Sequence, residues 1–199
     1  MLLEAFQFLH PNDLIDDELQ LVEPAHQCID EILRACSHPQ SRLDASGMTT
    51  RQQLLDFLRA APHGHQRGDA GRGRVPSYHF WMRLRAENGF VPPVLMAGGI
   101  GLRIGSTSDL EMYLGHLGYN VFPPARGRHL AERACRLLLP LARAHGMSML
   151  WITCNPDNWA SRRTCERLGA ELVEIVPLPE KHPLYLRGER HKCRYRIDL

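Results

Sequence analysis

The sequence predicts an α/β (α+β) fold in which helices cover a mixed β-sheet. The predicted elements follow the order strand, two helices, three strands, helix, strand, helix, strand, strand. Strands joined by short connections should pair antiparallel, whereas two strands separated by a long helix should be parallel. The chain has 199 residues, of which 44% are hydrophobic, so it can bury the core of one domain.

The first third of the chain contains one predicted strand and two predicted helices. Leu19–Val22 is the strand, and over residues 25–37 the apolar residues recur at helical spacing. A second helix starts after Thr49 or Thr50, either of which can cap a helix N-terminus. Pro62 ends this helix, because proline lacks the N–H group that a helix interior requires.

A glycine-rich loop separates these helices from the strands that follow. Residues 63–74 can bury little surface, so we expect this loop to be mobile. Residues 77–84 and 94–104 are rich in aromatic or aliphatic residues and predict two strands. Asn88 and Gly89 predict a hairpin connection between them.

The next strand leads into the longest predicted helix. Residues 111–122 predict an extended strand, in which an interior glycine indicates a bulge or a close approach of two backbones. Residues 128–145 predict the helix, which Gly146 closes as a left-handed cap. Pro140 lies inside this helix and should kink it.

The last part of the chain completes the sheet. Residues 147–154 are continuously apolar, which is typical of a buried parallel strand. A helix over residues 159–168 follows and ends at Gly169. Two further strands are predicted at residues 171–176 and 193–197.

Composition and charge argue against several classes of partner. The net charge is +2, and no dense Lys/Arg run alternates with aromatic residues, so no nucleic-acid partner is expected. No apolar run is long enough to span a bilayer, so no membrane partner is expected. The first six residues include an acid and lack a basic region ahead of an apolar core. This is unlike a signal peptide, and we expect a cytoplasmic protein.

The spacing of cysteine and histidine predicts neither a zinc site nor a redox motif. No two cysteines form a CxxC pair, so we expect reduced, buried thiols. The six cysteines are Cys28, Cys36, Cys135, Cys154, Cys165 and Cys193. His63 and His65 alone would leave the coordination of a metal incomplete, so no metal is expected.

Residues 118–131 carry the main functional signal. They predict an apolar strand, a tight turn with two prolines, and an Arg/Gly loop that opens directly into the longest helix. The first N–H groups of a helix have no partner inside it, and the helix dipole is positive there, so this segment can bind a phosphate. Two other phosphate motifs fail. GxxxxGK[ST] is absent, and residues 98–101 lack the third glycine of a dinucleotide fingerprint and lead into more strand.

Two motifs in this order resemble the signatures of the GCN5-related N-acetyltransferase (GNAT) superfamily. Residues 126–131, Arg-Gly-Arg-His-Leu-Ala, are similar to its Gln/Arg-x-x-Gly-x-Gly/Ala fingerprint for acetyl-coenzyme A. His129 stands where the family usually has glycine. Residues 158–161, Asn-Trp-Ala-Ser, followed by Leu-Gly at residues 168–169, resemble the second signature.

The resemblance covers about residues 75–199 and implies a fold. Gly118 and Tyr119, followed by the turn at Pro123, look most like the ribosomal-protein N-acetyltransferase-like branch. The GNAT fold has a mixed, mostly antiparallel central sheet with a parallel, splayed strand pair, flanked by helices. The resemblance thus implies one domain over residues 1–199, with an acceptor-side part at residues 1–75 and an acetyl-CoA-binding core at 76–199.

The resemblance also implies acetyl-CoA as the co-substrate and a set of binding residues. The N–H groups of residues 127–131 would bind the diphosphate, and the backbones of Tyr119 and Val121 would pair with the pantetheine arm. Asn158 would contact that arm or cap the next helix. The implied cofactor-binding residues are Tyr119, Val121, Arg126, Gly127, Arg128, His129, Leu130, Ala131 and Asn158.

The implied reaction is acetyl transfer to an amine, for which the chain departs from its family. The family's general acid, a tyrosine, falls at Cys165, where a thiol can protonate the leaving thiolate or simply fill the core. Glu111 and His116 are the candidates for a general base. Alternatively, His116 is a core histidine and Glu111 a solvated charge.

An acceptor pocket is expected beside the strand at residues 77–84. Arg103 and the aromatic residues of this strand are candidates to line it. Alternation puts Tyr78 and Phe80 on one face and His79 and Trp81 on the other, so these residues cannot all do so.

The sequence therefore predicts an acetyl-CoA-dependent N-acetyltransferase, an acyltransferase, that moves an acetyl group to a primary amine by direct attack in a ternary complex. The alternative is a non-catalytic acyl-CoA-binding or sensing module on the same fold. The acceptor classes left open are a small amine, an aminoglycoside-like compound, an amino acid or a protein N-terminus. Both a monomer and a homodimer are compatible with the sequence.

Overall fold

A computed structural model describes residues 6–11, 14–42, 49–87, 89 and 93–199. Asn88 of the predicted hairpin connection lies outside the described residues, and so do residues 1–5, whose sequence is unlike a signal peptide. Among the described residues, no helix is both long and apolar enough to cross a membrane.

The described residues form two sheets, and the first contains five strands. They are β1 (Leu19–Val22), β2 (His65–Gln66), β3 (Ser77–Leu84), β4 (Met96–Arg103) and β5 (Leu117–Val121). The order is β1-β3-β4-β5, and β2 also pairs with β3. Every one of these pairings is antiparallel.

The second sheet contains β6 (Met149–Cys154), β7 (Glu171–Pro177) and β8 (His191–Asp198) in the order β6-β8-β7, again antiparallel. The α+β class is thus confirmed. The predicted parallel pair forms no ladder among the described residues. Instead β5 and β6 belong to different sheets, and the backbone N–H of His116, just before β5, donates to the carbonyl of Trp151 at 2.6 Å.

Within the described part of the chain, six α-helices accompany the sheets. They are α1 (Ile29–Ser37), α2 (Pro39–Arg42), α3 (Arg51–Ala60), α4 (Leu130–Ala144), α5 (Trp159–Arg167) and α6 (Pro183–Leu186). Thr50 caps α3 as predicted, and its side chain and that of Gln53 bond reciprocally to each other's backbone N–H groups. Gly146 follows α4 with φ +74°, which confirms the left-handed cap, and α4 contains Pro140.

The helices bury both faces of the first sheet. Tyr78, Phe80 and Met82 of β3 belong to the core that also contains the buried face of α4. Trp81 belongs to a second core with residues of α1 and α3. The alternation predicted along β3 is therefore correct, and the sheet separates the α4 layer from the layer of α1 and α3.

The predicted strand over residues 111–122 was too long. Residues Leu110–Leu114 form a π-helical turn, and β5 begins only at Leu117. Gly115 causes the change of direction with φ +70° and lies against β6, where a Cβ would be 2.9 Å from the N of Thr153. The predicted close approach of two backbones thus occurs at this glycine, and it ends the turn instead of bending a strand.

The loop over residues 63–74 has more structure than the sequence indicated. His65 and Gln66 pair with Tyr78 and Ser77 of β3. Gly64 has φ +75°, and a Cβ there would be 2.0 Å from the carbonyl oxygen of His79, so only glycine allows this approach. The loop is therefore attached to the edge of the sheet.

Candidate functional site

A groove of about 590 Å³ lies between β5, α5 and the start of α4. On β4, the carbonyl of Ala97 accepts from the N–H of Phe122, and the N–H of Arg103 donates to the carbonyl of His116. Because hydrogen bonding alternates along an antiparallel strand, the N–H and C=O groups of Tyr119 and Val121 point away from β4 and toward the groove. This edge of β5 can therefore pair with an extended ligand.

The N-terminus of α4 forms one end of the groove. Gly127 has φ +86°, and nothing lies within 4 Å of the position of its Cβ. His129 precedes the helix in the left-handed region, with φ +55° and ψ 24°. The helix therefore starts at Leu130, two residues later than predicted, and the N–H groups of its first turn lie beside the open side of Gly127.

Most of the predicted cofactor-binding residues line this groove. They are Tyr119, Val121, Arg126, Gly127, His129, Leu130, Ala131 and Asn158. Arg128 is the exception, because its guanidinium forms an ion pair with Glu18. The side chain of Arg128 therefore points to the segment before β1 and does not line the groove. Only the backbone of Arg128 can take part in the predicted cofactor binding.

Three exposed arginines line the groove. Arg126 was predicted from the fingerprint, whereas Arg163 and Arg167 of α5 were not. Arg167 donates from Nη1 to Nδ1 of His129 at 2.8 Å, so the two signature segments touch across the groove. The i, i+4 spacing of Arg163 and Arg167 on the helix after Asn158 was the signal in the sequence.

Asn158 and Ser161 lie where α5 meets the groove. The side-chain oxygen of Asn158 accepts from the N–H of Ser161 at 3.1 Å, so Asn158 caps α5 and lines the groove at the same time. The hydroxyl of Ser161 is 2.9 Å from the hydroxyl of Tyr119. Burial raises the pKa of Tyr119, so its phenol stays protonated.

Cys165 lies beneath the groove and is fully buried, with 0% of its surface exposed. A hydrogen bond with Cys154 and burial raise the pKa of the Cys165 thiol. Cys165 also lies within hydrogen-bonding reach of Tyr119. It does not line the groove, which does not support the predicted role as the direct proton donor and favours the alternative of a core residue.

His116 is buried and both of its ring nitrogens have partners. Nδ1 accepts from the N–H of Trp151 at 2.8 Å, so Nε2 carries the proton and donates to the carbonyl of Gly105 at 3.1 Å. Burial lowers the pKa of the ring. The histidine thus links β6 to the chain before β5, and this geometry does not support His116 as a general base.

Glu111 lies in the π-helical turn and not on a strand. Its carboxylate accepts a hydrogen bond from the Ser106 hydroxyl, and its backbone carbonyl accepts from Arg194 Nε at 3.0 Å. Glu111 lines neither the groove nor the second cavity described below. Its predicted role as the base therefore has no support from its position.

A second cavity, of about 400 Å³, lies on the face of the first sheet that α3 covers. It is lined by Leu54 and Phe57 of α3 and by residues of three strands: Ser77, His79, Phe80, Trp81, Gly99, Ile100, Gly101, Leu102, Arg103, Gly118, Tyr119 and Asn120. Tyr119 and Asn120 also line the groove, so the two cavities meet at β5.

The predicted acceptor-side residues divide between the two faces of the sheet. Arg103 and Trp81 line the second cavity. Phe80 reaches it through its backbone, whose carbonyl oxygen is 3.5 Å from the Cβ position of Gly99, while its side chain belongs to the core on the α4 face. Tyr78 does not line the cavity, because its hydroxyl lies on the other face, 2.7 Å from Nε2 of His145. His79, which the sequence placed on the same face as Trp81 without giving it a role, lines the cavity as well.

His10, Glu23 and His65 bring ligand-type atoms within 4.8 Å of one another at the opposite edge of the first sheet. A carboxylate oxygen of Glu23 is also 3.0 Å from Nδ1 of His63. The fold thus brings His10 and Glu23 close to His63 and His65, the two histidines considered from the sequence. The side chains of His10 and His63 are 69% and 75% exposed, so these are solvent-accessible surface contacts.

Comparison with protein-family models gives one match. A model described as an acetyltransferase (GNAT) domain matches residues 18–171, which is most of the chain. No curated protein matches the sequence.

Solved structures share the fold at low sequence identity. The microcin C7 self-immunity acetyltransferase MccE, in complex with acetyl-CoA and AMP, is 15% identical with a TM-score of 0.65, over 92% of this chain and 94% of that chain. The ribosomal L7/L12 alpha-N-protein acetyltransferase RimL, in complex with coenzyme A, is 15% identical with a TM-score of 0.57, over 93% and 96%. An acetyltransferase from Agrobacterium tumefaciens is 21% identical with a TM-score of 0.58, over 98% and 99%.

Proposed function

The chain belongs to the GNAT acetyltransferase family, and we propose that it transfers an acetyl group from acetyl-CoA to a primary amine by direct attack in a ternary complex. The observation that carries this proposal is the groove beside β5, which combines outward-facing backbone groups of that strand with the N-terminus of α4. Neighbouring folds solved with acetyl-CoA or coenzyme A are consistent with this co-substrate.

The groove residues fit a diphosphate with an extended arm. The N–H groups at the start of α4 and the open side of Gly127 offer donors that a phosphate can approach. Arg126, Arg163 and Arg167 add positive charge around them. The outward N–H and C=O groups of Tyr119 and the N–H of Val121 suit an amide-bearing arm, which would pair as an added strand. The carbonyl of Val121 already accepts from Nε of Arg126 at 3.1 Å.

The chemistry that acetyl-CoA supplies is an activated thioester. Tyr119 and Ser161 are the residues that we propose to protonate the leaving thiolate. If the Tyr119 phenol donates to the Ser161 hydroxyl, the Ser161 O–H is free to donate into the groove. A phenol from β5 thus lies beside Cys165, the position at which the family carries its tyrosine.

Direct attack is supported by the position of the cysteines and of the second cavity. All six cysteines are buried, so none presents a thiol to the groove for an acyl-enzyme intermediate. The second cavity reaches the groove at Tyr119 and Asn120, so an amine held there can approach the thioester across β5.

A non-catalytic acyl-CoA-binding module remains the second candidate. It is favoured by the burial of Cys165 and by the occupied nitrogens of His116, since these positions do not support the predicted acid and base. Release of coenzyme A in the presence of an amine would exclude it.

Calorimetry with acetyl-CoA tests the proposal. We expect saturable binding at one site and a rise in the thermal midpoint, because a ligand at a hundred times its Kd stabilises the folded state by about 2.7 kcal/mol. Dephospho-coenzyme A and pantetheine serve as controls, and they should bind progressively more weakly. Folded protein that binds none of them would refute the proposed function.

A further inference from the structure

Three glycines form the floor of the second cavity. Gly99 and Gly101 lie on β4, and Gly118 lies on β5 directly opposite Gly101. Side chains alternate across a strand, so these three positions share the face that α3 covers. Because none has a side chain, the sheet face is open where other residues would fill it.

Each glycine makes room for one polar side chain from a neighbouring strand on the same face of the sheet. Nε2 of His79 is 3.4 Å from the position of a Cβ at Gly101, and Oδ1 of Asn120 is 3.4 Å from that at Gly99. The guanidinium of Arg103 lies over Gly118, with Nη1 at 3.6 Å from the Cβ position. The floor therefore presents an imidazole, an amide and a cation to whatever occupies the cavity.

Nε2 of His79 has no hydrogen-bond partner among the residues that the structure describes, so it can accept a proton. Its Nδ1 is 3.3 Å from the carbonyl oxygen of Gly64. A carbonyl can only accept, so Nδ1 carries the proton in the neutral ring and Nε2 keeps a lone pair. Burial lowers the pKa of His79, the Gly64 carbonyl opposes this, and the charge of Arg103 lowers the pKa further, so the ring is neutral at pH 7.

Arg103 is a half-buried cation without an acidic partner among the described residues. Its Nη1 donates to the carbonyl of Gly115 at 2.9 Å, and the described residues that line the cavity include no Asp or Glu. Burial is the cause that lowers its pKa. A guanidinium in such surroundings favours a ligand with an anionic group, and it disfavours polycationic amines.

The walls of the cavity are apolar. Phe57 of α3 meets His79 edge to face at 5.7 Å and lies 6.3 Å from Trp81, measured between ring centroids. Leu54 completes this side. The volume of about 400 Å³ is in the range of pockets for small molecules.

We propose that this cavity is the acceptor site and that the acceptor is a small primary amine with an anionic group beside an apolar or aromatic body. Arg103 binds the anionic group, Phe57 and Trp81 cover the apolar body, and Nε2 of His79 takes the proton from the ammonium. This inference rests on the proposed function, since it names the acceptor of the same reaction.

The proposed step is balanced. The ammonium gives one proton to Nε2 of His79, and the free amine forms the N–C bond at the thioester carbonyl carbon. The C–S bond breaks, the electron pair stays on sulfur, and the second proton of the nitrogen ends on the coenzyme A thiol. The proton on His79 returns to solvent.

Matched acceptor pairs test the substrate class. L-phenylalanine is compared with phenethylamine, and O-phosphoethanolamine with ethanolamine, with release of the coenzyme A thiol as the readout. We expect the anionic member of at least one pair to have a kcat/KM about ten-fold higher or more, because charge-assisted hydrogen bonds are the strong ones. The pair that shows this preference identifies the anionic group of the acceptor as a carboxylate or a phosphate.

Substitutions connect this preference to Arg103. Arg103→Gln should abolish the preference, Arg103→Lys should restore part of it, and Arg143→Gln, an exposed arginine on α4, should leave it unchanged. Neutral amines that react as well as anionic ones, or a preference that survives Arg103→Gln, would overturn the assignment. So would acetyl-CoA binding without acetylation of any anionic amine. Failure of acetyl-CoA to bind at all would instead refute the proposed function.

The pH profile tests His79. The charged group that acts on His79 is Arg103, and Ser77 and Phe57 are its uncharged neighbours in the cavity. With a pKa lowered from 6.5, kcat/KM should fall only as the pH drops below 6.5. His79→Gln should remove this acidic limb and lower the plateau about a hundred-fold. An unchanged profile in the variant would show that His79 is not the base.

Discussion

A single charge placed at Ala131 should separate the stability of the protein from its affinity for acetyl-CoA. Ala131 is in the first turn of α4 and lines the groove beside Gly127. In Ala131→Glu a carboxylate would stand at the positive end of the helix, which favours the folded state by about 0.3–1 kcal/mol. The same carboxylate would repel a diphosphate. The unliganded variant should therefore unfold at the same temperature or slightly higher, while its affinity for acetyl-CoA falls.

The size of the loss follows from Coulomb's law. Two unit charges about 5 Å apart repel by ~0.8 kcal/mol in a water-like dielectric and by ~3 kcal/mol at an effective dielectric of 20. Arg126, Gly127 and His129 are exposed, so the lower figure applies at this open site. Two phosphate charges then cost about 1.5–2 kcal/mol, which corresponds to a Kd about 10–30 times higher.

The assay is calorimetry on Ala131→Glu and on Ala131→Gln, which has nearly the same size without the charge. Any loss common to both variants is steric, and the difference between them is electrostatic. That difference should shrink with added salt, because the Debye length falls from about 30 Å at 0.01 M to about 3 Å at 1 M. Equal affinities of the two variants at low salt would refute a diphosphate site at this helix.

Two further predictions concern the ion pairs beneath α4 and the proton donor. Arg133 donates to Asp16 from Nε at 2.7 Å and to Glu18 from Nη1 at 2.9 Å, so Arg133→Met should lose about 2–3 kcal/mol in urea denaturation. Burial raises the pKa of Asp16, but its hydrogen bonds outweigh burial and lower it from 3.8. The stability difference between Arg133→Met and the wild type should have its full size above pH 3.8 and should disappear as the pH falls below 3.8. A difference that does not change with pH would contradict the role of Asp16. Tyr119→Phe should lower kcat about ten-fold or more with little change in KM for acetyl-CoA. Ser161→Ala should have the same effect if Ser161 relays the proton. Unchanged kcat in both variants would exclude this pair as the acid.

Local signals in the sequence predicted most of the fold. The Thr50 cap and the Gly146 cap depend on neighbours within a few residues, and the structure confirms both. The strand predicted over residues 111–122 failed because its conformation depends on a distant contact. Gly115 lies against the backbone of Thr153 on β6, and the π-helical turn before it accommodates that contact. Such a contact leaves no mark in the local pattern.

The same distinction explains which parts of the candidate site were predictable. The helix N-terminus at residues 127–131 is contiguous, so a motif identifies it. The proposed acceptor cavity is assembled from α3, β3, β4 and β5, and a contact beside it joins His79 to the carbonyl of Gly64. The glycines at 99, 101 and 118 were visible, but they indicate a cavity only once strand pairing puts them side by side.

The positive charges around α4 divide between holding the helix and facing the groove. Arg128 and Arg133 both pair with Glu18 of the segment that leads into β1, which fixes the start of α4 against the first sheet. On the next turn, Arg136 donates to the carbonyl of Arg167 at 2.5 Å and joins α4 to α5. Arg167 is thereby held near His129, with its guanidinium at the groove. If this division is correct, neutralising Arg167 should weaken acetyl-CoA binding more than it lowers stability, and neutralising Arg133 should have the opposite ranking.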